Sequence, residues 1–269
     1  MNPARALLSV SPHPDDELVG APATLMALRD AGWRVVNLAC SLGRPDDRQR
    51  RRAELVEACR LAAFELLIAE GIPPIGAEDD LALAQDGLSA AIVAALDDVG
   101  AEIIVGPSPH DGHHGHEVVG RAIRDAVEAR VEPMHALFWG LWGDLPLPNV
   151  LVPFGAARLL EIQHALGAHA GELARNRLDR LVEGRAAANA VLGPERVFGF
   201  GAAGGEHDHA ELLTDIGWTP SDGWRLTAPR ELDPARPLAP AGGPAIGWWL
   251  HARSARMTLR STVDQTTRQ

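Results

Sequence analysis

Apolar residues fall along this chain in two alternating rhythms. Leu7 to Val10, Trp33 to Cys40 and Glu102-Ile103-Ile104-Val105-Gly106 are short, nearly unbroken apolar runs. That pattern fits strands buried on both faces. Between them lie stretches with helical spacing: Leu18 to Ala31, closed by Gly32 as a C-cap, then Arg48 to Phe64, Ser89 to Val99 and Glu117 to Ala129. Leu66-Leu67-Ile68 adds a short strand, and Pro73 to Asp80 is turn-rich. The predicted order is β-α-β-α-β-α-β-α.

Beyond Pro133 the rhythm changes. His135 to Trp139 predicts a further strand, and Asp144 to Pro153 is punctuated by proline. Ala156 to Val191 predicts two helices meeting near Gly167 to Gly171, and Arg196-Val197-Phe198-Gly199-Phe200 an edge strand. Thr219 to Gly247 is rich in Pro and Gly and reads as an extended loop, with a frayed tail from Ser261 to Gln269. There is no internal repeat. The alternation calls for an α/β fold: a Rossmann-like, mostly parallel sheet with helices on both faces and right-handed crossovers. Residues 1–202 are expected to form that domain, and 203–269 an irregular C-terminal extension packed on it.

Composition narrows the function. A chain of 269 residues, 46% hydrophobic and 23% charged, can bury a sizeable core. A net charge of -11 argues against nucleic acid or an anionic membrane as partner, since phosphate affinity needs a basic face. The one dense basic run, Arg48-Gln49-Arg50-Arg51-Arg52, opens a helical stretch and reads as its solvated face. Cys40 and Cys59 make neither a disulfide framework nor a thiolate metal cluster. No apolar stretch is long enough to span a membrane, and the N-terminus has no signal-peptide layout, so the cytoplasm is expected. All 25 basic residues are arginine, and tyrosine is absent. Schiff-base lysine chemistry and tyrosine acid catalysis are therefore excluded.

The chemistry gathers in two clusters. Ser11-Pro12-His13-Pro14-Asp15-Asp16-Glu17 follows the first strand, and Pro109-His110-Asp111-Gly112-His113-His114-Gly115-His116-Glu117 follows the fourth. In a doubly wound sheet both leave at strand C-terminal ends, on one edge. His13 and Asp16, three apart across a turn, are spaced to grip one metal ion. His116 would supply a third ligand, with His110 and His114 as alternatives, leaving a position open for water. Asp15 is then the natural general base. His113, one helical turn before His116, would protonate a leaving group or stabilise an oxyanion. The competing readings are structural: Asp15 or Asp16 as a helix N-cap, and the His-rich loop as incidental metal affinity or a pH-sensitive surface. A non-enzymatic Rossmann-like ligand-binding module is the alternative of a different class, although no Gly-x-Gly-x-x-Gly follows the first strand.

Pro12-His13-Pro14-Asp15-Asp16-Glu17 resembles the His-Pro-Asp-Asp-Glu signature of the PIG-L/LmbE-like N-acetylglucosaminyl deacetylases. His113-His114-Gly115-His116 keeps both histidines of that family's His-Pro-Asp-His motif, with His114-Gly115 in place of Pro-Asp. The resemblance implies a zinc-dependent hydrolase acting on a small-molecule N-acetylglucosamine conjugate. One Zn2+ per chain would be held by His13, Asp16 and His116, with Asp15 as base and His113 as the charge-stabilising or acid residue. Weaker correspondences imply substrate contacts from Arg51, with Arg48, Arg50 and Arg52 competing for that role, from Asp79 or Asp80, and from His169 in Ala165-Leu166-Gly167-Ala168-His169. Glu17 would orient a histidine or support the helix start.

The substrate is read more loosely. The tryptophans of the 131–154 segment and of the tail would wall a wide cleft, or simply pack. Glu195-Arg196-Val197-Phe198-Gly199-Phe200-Gly201 resembles deacetylases of the teicoplanin-type glycopeptide pathway, which implies an N-acetylglucosaminyl pseudoaglycone. A mycothiol-type precursor deacetylase or mycothiol-conjugate amidase is the alternative.

Overall fold

The apolar runs pair side by side, as their burial requires. The computed structural model describes residues 5–76 and 79–252. The first half contains β1 (Ala6–Ser11), α1 (Asp16–Val19), α2 (Pro22–Asp30), β2 (Arg34–Ala39), α3 (Arg48–Ala62), β3 (Glu65–Ile68), α4 (Leu81–Val99), β4 (Ala101–Pro107) and α5 (His114–Glu128). The second contains β5 (Met134–Trp139), β6 (Val150–Phe154), α6 (Ala156–Leu166), α7 (Ala170–Arg175), α8 (Leu178–Phe198), β7 (His209–Thr219), β8 (Gly223–Leu226), β9 (Arg230–Glu231) and α9 (Gly247–His251).

The sheet order is β3-β2-β1-β4-β5-β7-β6-β9, with β8 paired to β7. From β3 through β5 every pairing is parallel. The chain leaves β1 toward β2 and β3, then returns to the other side of β1 as β4. Adjacent strands whose crossovers run in opposite directions leave a crevice at their C-terminal ends. Here that crevice lies between β1 and β4, which are the strands that precede the two clusters.

Each central strand is buried on both faces. Leu7, Ile103, Val105 and Leu137 pack under α1, α2, α3, α6 and α8. Leu8, Ile104, Ala136 and Phe138 pack under α4, α5 and α9 on the other face. Truncating one such Leu or Ile to Ala costs about 2–5 kcal/mol, so both layers hold the sheet that carries the clusters. Cys40 and Cys59 are buried, and burial pushes both thiols up, which leaves them unreactive.

The second half departs from the sequence reading in several places: residues 156–191 hold three helices, α6, α7 and most of α8, where two were expected, and the expected loop 219–247 contains β8. Residues 196–198 are not an edge strand; they end α8, which continues through Pro194. Residues 209–219 are not part of an irregular extension. They form β7, which runs antiparallel between β5 and β6 in the body of the sheet. The expected tail at 261–269 lies outside the described residues. Among the described residues no helix is long and apolar enough to cross a membrane.

Candidate active site

The site is built at the crevice. β1 ends at Ser11, whose hydroxyl donates to Asn37 Oδ1 on β2 at 2.7 Å. The chain then turns through His13 to Asp16 into α1. β4 ends at Pro107, and α5 packs so closely on that end that a Cβ at Gly120 would lie 2.6 Å from the Pro107 carbonyl. This contact swings the first turn of α5, with His113 and His116, over the turn that follows β1.

The two clusters meet through Asp16. Its Oδ2 accepts the His13 backbone N–H at 2.9 Å and lies 3.2 Å from His13 Nδ1. Its Oδ1 lies 3.3 Å from Nε2 of the buried His116. Burial opposes ionisation of Asp16, but the His116 and His13 imidazoles hold its carboxyl well below the usual range. His116 Nδ1 lies 2.8 Å from Asp111 Oδ2, and its ring stands edge-on to Trp139. Burial lowers the basicity of His116, yet Asp16 and Asp111 together push it up to about 10.

Asp111 was not singled out by sequence reasoning, though it sits inside the His-rich stretch. Its carboxylate fixes the ring of His116, and its Oδ1 accepts the backbone N–H groups of Leu141 and Trp142. A carboxylate on the far nitrogen of a ligating histidine sets its tautomer and orientation. The signal available was Asp at five residues before His116, in a loop following a buried strand.

The residues fit a metal ion. Ligand atoms of His13, His113 and His116 all lie within 4.8 Å of one another. Asp16 touches two of these histidines, and His113 Nδ1 is buried without a partner among the described residues. Imidazole and carboxylate form the donor set that suits zinc. The expected ligands His13, Asp16 and His116 are thus brought together, with His113 beside them. Gly115 serves this geometry: a Cβ there would lie 2.8 Å from His13 Cε1. His110 is turned away, its Nε2 2.6 Å from the Trp249 carbonyl, and His114 stacks on His113.

Asp15 faces the same cavity, of about 150 Å³, with His13, Asp16, Arg51, His113, His116 and Trp142. It occupies the cap position of α1 but makes no side-chain cap bond, so its carboxyl is free for chemistry. Burial, then the Asp16 and Glu17 charges, raise its pKa well above the carboxylate range, while Arg51 opposes them. His113 is driven the other way, to about 3, by burial and by the neighbouring imidazoles. At neutral pH it is therefore a neutral imidazole, able to donate a hydrogen bond or to ligate, and not a reservoir of acid.

The remaining expectations divide. Arg51, and not its basic neighbours, is buried at the site; Nη2 donates to the Pro14 carbonyl at 3.3 Å and Nε lies 3.2 Å from Glu172 Oε1. Arg50 instead pairs with Asp47 and Glu54. Asp79 lines a neighbouring cleft, with its carboxylate turned to the Gly76 N–H at 2.6 Å. Asp80 caps α4. His169 does not line the cavity. It is fully buried and bonds Glu17 at 2.6 Å, so it is a supporting residue and not a substrate contact. Glu17 touches neither His13 nor His116; it binds His169 and the Asp15 N–H.

The tryptophans mostly pack. Trp139, Trp224 and Trp249 are buried, and only Trp142, 59% exposed, stands at the cavity. The wide cleft of about 990 Å³ that adjoins the site is walled by residues from the 40–52 and 68–76 segments and by Asp79. Phe200, 99% exposed at the end of α8, lines neither cavity nor cleft.

Solved structures share this fold. The conserved protein TT1542 from Thermus thermophilus is 24% identical, with a TM-score of 0.56 over 77% of this chain and 92% of that one. N,N'-diacetylchitobiose deacetylase from Pyrococcus horikoshii is 16% identical, with a TM-score of 0.59 over 79% and 84%. The zinc-inhibited form of teicoplanin deacetylase Orf2 is 13% identical, with a TM-score of 0.56 over 78% and 98%. The 4-carboxy-2-hydroxymuconate hydratase GalB, at 16% identity and a TM-score of 0.56 over 78% and 95%, shows that the fold also serves other chemistry. No curated protein sequence matches the chain. Residues 8–127, from β1 to the last turn of α5, match the family model described as PIG-L: GlcNAc-PI de-N-acetylase, and this is the part of the chain that carries both clusters.

Proposed function

We propose that this protein is a zinc-dependent N-deacetylase that hydrolyses the acetamide of an N-acetylglucosamine conjugate. The observation that carries the reading is the meeting of an unengaged carboxyl, Asp15, with the His13–Asp16–His113–His116 group in one cavity. The family match over 8–127 supports it.

Zinc held by His13, Asp16 and His116 would supply a Lewis acid and a water of lowered pKa. The chain's own residues do the rest. Asp15, its basicity raised by burial and by Asp16 and Glu17, takes the proton of the attacking water. The water oxygen bonds to the acetamide carbon, and negative charge develops on the former carbonyl oxygen. The neutral His113 imidazole offers a hydrogen bond to that oxygen. Asp15 then returns its proton to the departing nitrogen as the C–N bond breaks, releasing acetate and an amine. With tyrosine and lysine absent from the chain, these duties fall to Asp15 and His113.

The cleft of about 990 Å³ beside the cavity has room for a large aglycone. This supports a glycopeptide pseudoaglycone as the conjugate, with a mycothiol-type precursor as the second candidate. The test is acetate release from N-acetylglucosaminyl pseudoaglycone and from N-acetylglucosaminyl-inositol, beside the zinc content of the protein. Stoichiometric zinc is expected, with loss of one acetyl mass from one substrate that disappears in Asp15→Ala. A protein that holds no zinc and releases acetate from neither would overturn the reading.

A further inference from the structure

We infer that the wide cleft binds a negatively charged group on the substrate, a carboxylate or a phosphate, through Arg44 and Arg48. The inference rests on the deacetylase reading for where the sugar lies. The chain carries a net charge of -11, yet this cleft is lined by Arg44, Arg48, Arg52 and Arg175 against Glu70 and Asp79. Neither acid neutralises the first two arginines. Asp79 is engaged with the Gly76 N–H at 2.6 Å, and Glu70 lies 3.9 Å from Arg52. Arg175 is held by Glu172 at 2.5 Å. Arg44 has no carboxylate within ion-pair distance among the described residues, and Arg48 makes one long bond, 3.4 Å from Nε to the Gly43 carbonyl.

Their place in the fold matters as much as their charge. Arg44 lies in the loop that leaves β2, and Arg48 opens α3, so both stand at the C-terminal edge of the sheet beside β1. His13, His113 and Arg175 line both the cleft and the catalytic cavity, so the two spaces adjoin. A ligand with its acetamide against Asp15 and His113 would run its aglycone along the Arg44–Arg48 wall. Guanidinium groups present paired donors that match carboxylate and phosphate oxygens. In an acidic protein such a wall draws an anion in.

The test uses the zinc-loaded full chain and isosteric pairs of glycosides. These are 4-carboxyphenyl, 4-phosphonophenyl and 4-carbamoylphenyl N-acetyl-β-glucosaminide, each also made with a propyl spacer before the terminal group. Binding is measured by calorimetry in Asp15→Ala, and acetate release in the wild type. An acid of at least one length should bind about tenfold more tightly than its neutral amide. The preference should shrink in high salt and fall towards one in Arg44→Gln/Arg48→Gln. The carboxylate and phosphonate arms tell which anion is preferred. Equal or absent binding of acids and amides at both lengths overturns the anion site, as does a preference that survives in the double variant. The reaction is judged separately: acetate released from acid and amide alike, without charge preference, keeps the deacetylase and removes the anion site. Tight, arginine-dependent binding of the acids with no acetate from any glycoside does the reverse.

Discussion

His169 Nε2 lies 2.6 Å from Glu17 Oε1, and both side chains are fully buried. The other oxygen of Glu17 accepts the Asp15 N–H at 3.0 Å. Asp15 has φ 118°, a left-handed conformation that non-glycine residues avoid. Such a backbone costs about 1–3 kcal/mol and persists only where its surroundings enforce it. Glu17, itself anchored by His169, supplies the enforcement and so aims the Asp15 carboxyl into the cavity. Glu17→Gln places an amide between two donors. It should lower kcat by about tenfold to a hundredfold, because a small misplacement of the base is costly. Zinc content should stay stoichiometric, since Glu17 touches no ligand. Unchanged turnover in Glu17→Gln would remove this positioning role.

The same contact makes stability depend on pH. Burial lowers the basicity of His169, but the Glu17 carboxylate, by charge and hydrogen bond, raises it above the ordinary histidine value. The sign follows from proton linkage. A histidine whose folded pKa is raised holds its proton in the native state after the unfolded chain has lost it. Its stabilisation is therefore complete below the unfolded value of about 6.5 and is lost as pH rises through the folded value. Urea unfolding of chelator-treated protein should show His169→Gln destabilised by about 3–5 kcal/mol at pH 6, the usual penalty for breaking a buried pair. The gap should narrow as the buffer is raised past the folded pKa. A gap that widened with pH would mean His169 is neutral throughout.

What was legible in the sequence follows from what neutralises each residue. β1, β2 and β4 need nothing beyond the sheet to explain their burial, so their apolar runs announce them. β7 carries Glu211 and Asp215 in its interior. Glu211 is buried because Ala23 N–H, Thr24 N–H and the Thr24 hydroxyl donate to it across the fold. Asp215 is buried against Arg230, Thr227 and Asn149. Those partners are distant in sequence, and without them the strand reads as part of a polar, irregular segment. α8 runs past its expected end at Val191 for a local reason: Gly193-Pro194 has the composition of a terminator, yet the helix continues through it. The meeting of His13, Asp16, His113 and His116 is legible because these residues sit at strand ends at fixed spacings. Asp111 is not, because its value comes from a ring nitrogen five residues on and from a loop thirty residues later.

Gly115 separates helix propensity from site geometry. It lies in the first turn of α5, where replacing Gly by Ala ordinarily stabilises a helix by up to about 1 kcal/mol. A Cβ there would lie 2.8 Å from His13 Cε1 and 3.0 Å from His13 Nε2. The imidazole must then shift from its place beside His113 and His116. Gly115→Ala should therefore weaken zinc binding, by about tenfold or more, while its chelated form melts near the wild-type temperature. Full zinc affinity in this variant, measured by competition with a chromophoric chelator, would mean that His13 is not held where a shared ion requires it.

Metal uptake should also expel a proton. His116 is squeezed between Asp16, 3.3 Å from Nε2, and Asp111, 2.8 Å from Nδ1, and in the metal-free protein their charges carry its pKa up to about 10. At neutral pH the ring therefore bears a proton on Nε2, the nitrogen that the proposed ligand set gives to the ion. A ligand has to be deprotonated before it binds, so zinc competes with that proton. Apparent zinc affinity should rise about tenfold per pH unit from pH 6 to 9, the slope of one displaced proton. Titration in weakly buffered indicator should show at least one proton released per zinc at pH 7.5. Asp111→Asn removes one of the two charges that hold the proton, so it should flatten that slope and reduce the release. Affinity independent of pH, with no proton released, would place the ion away from His116 and leave the Asp16–His116–Asp111 chain as a purely structural link between α1 and α5.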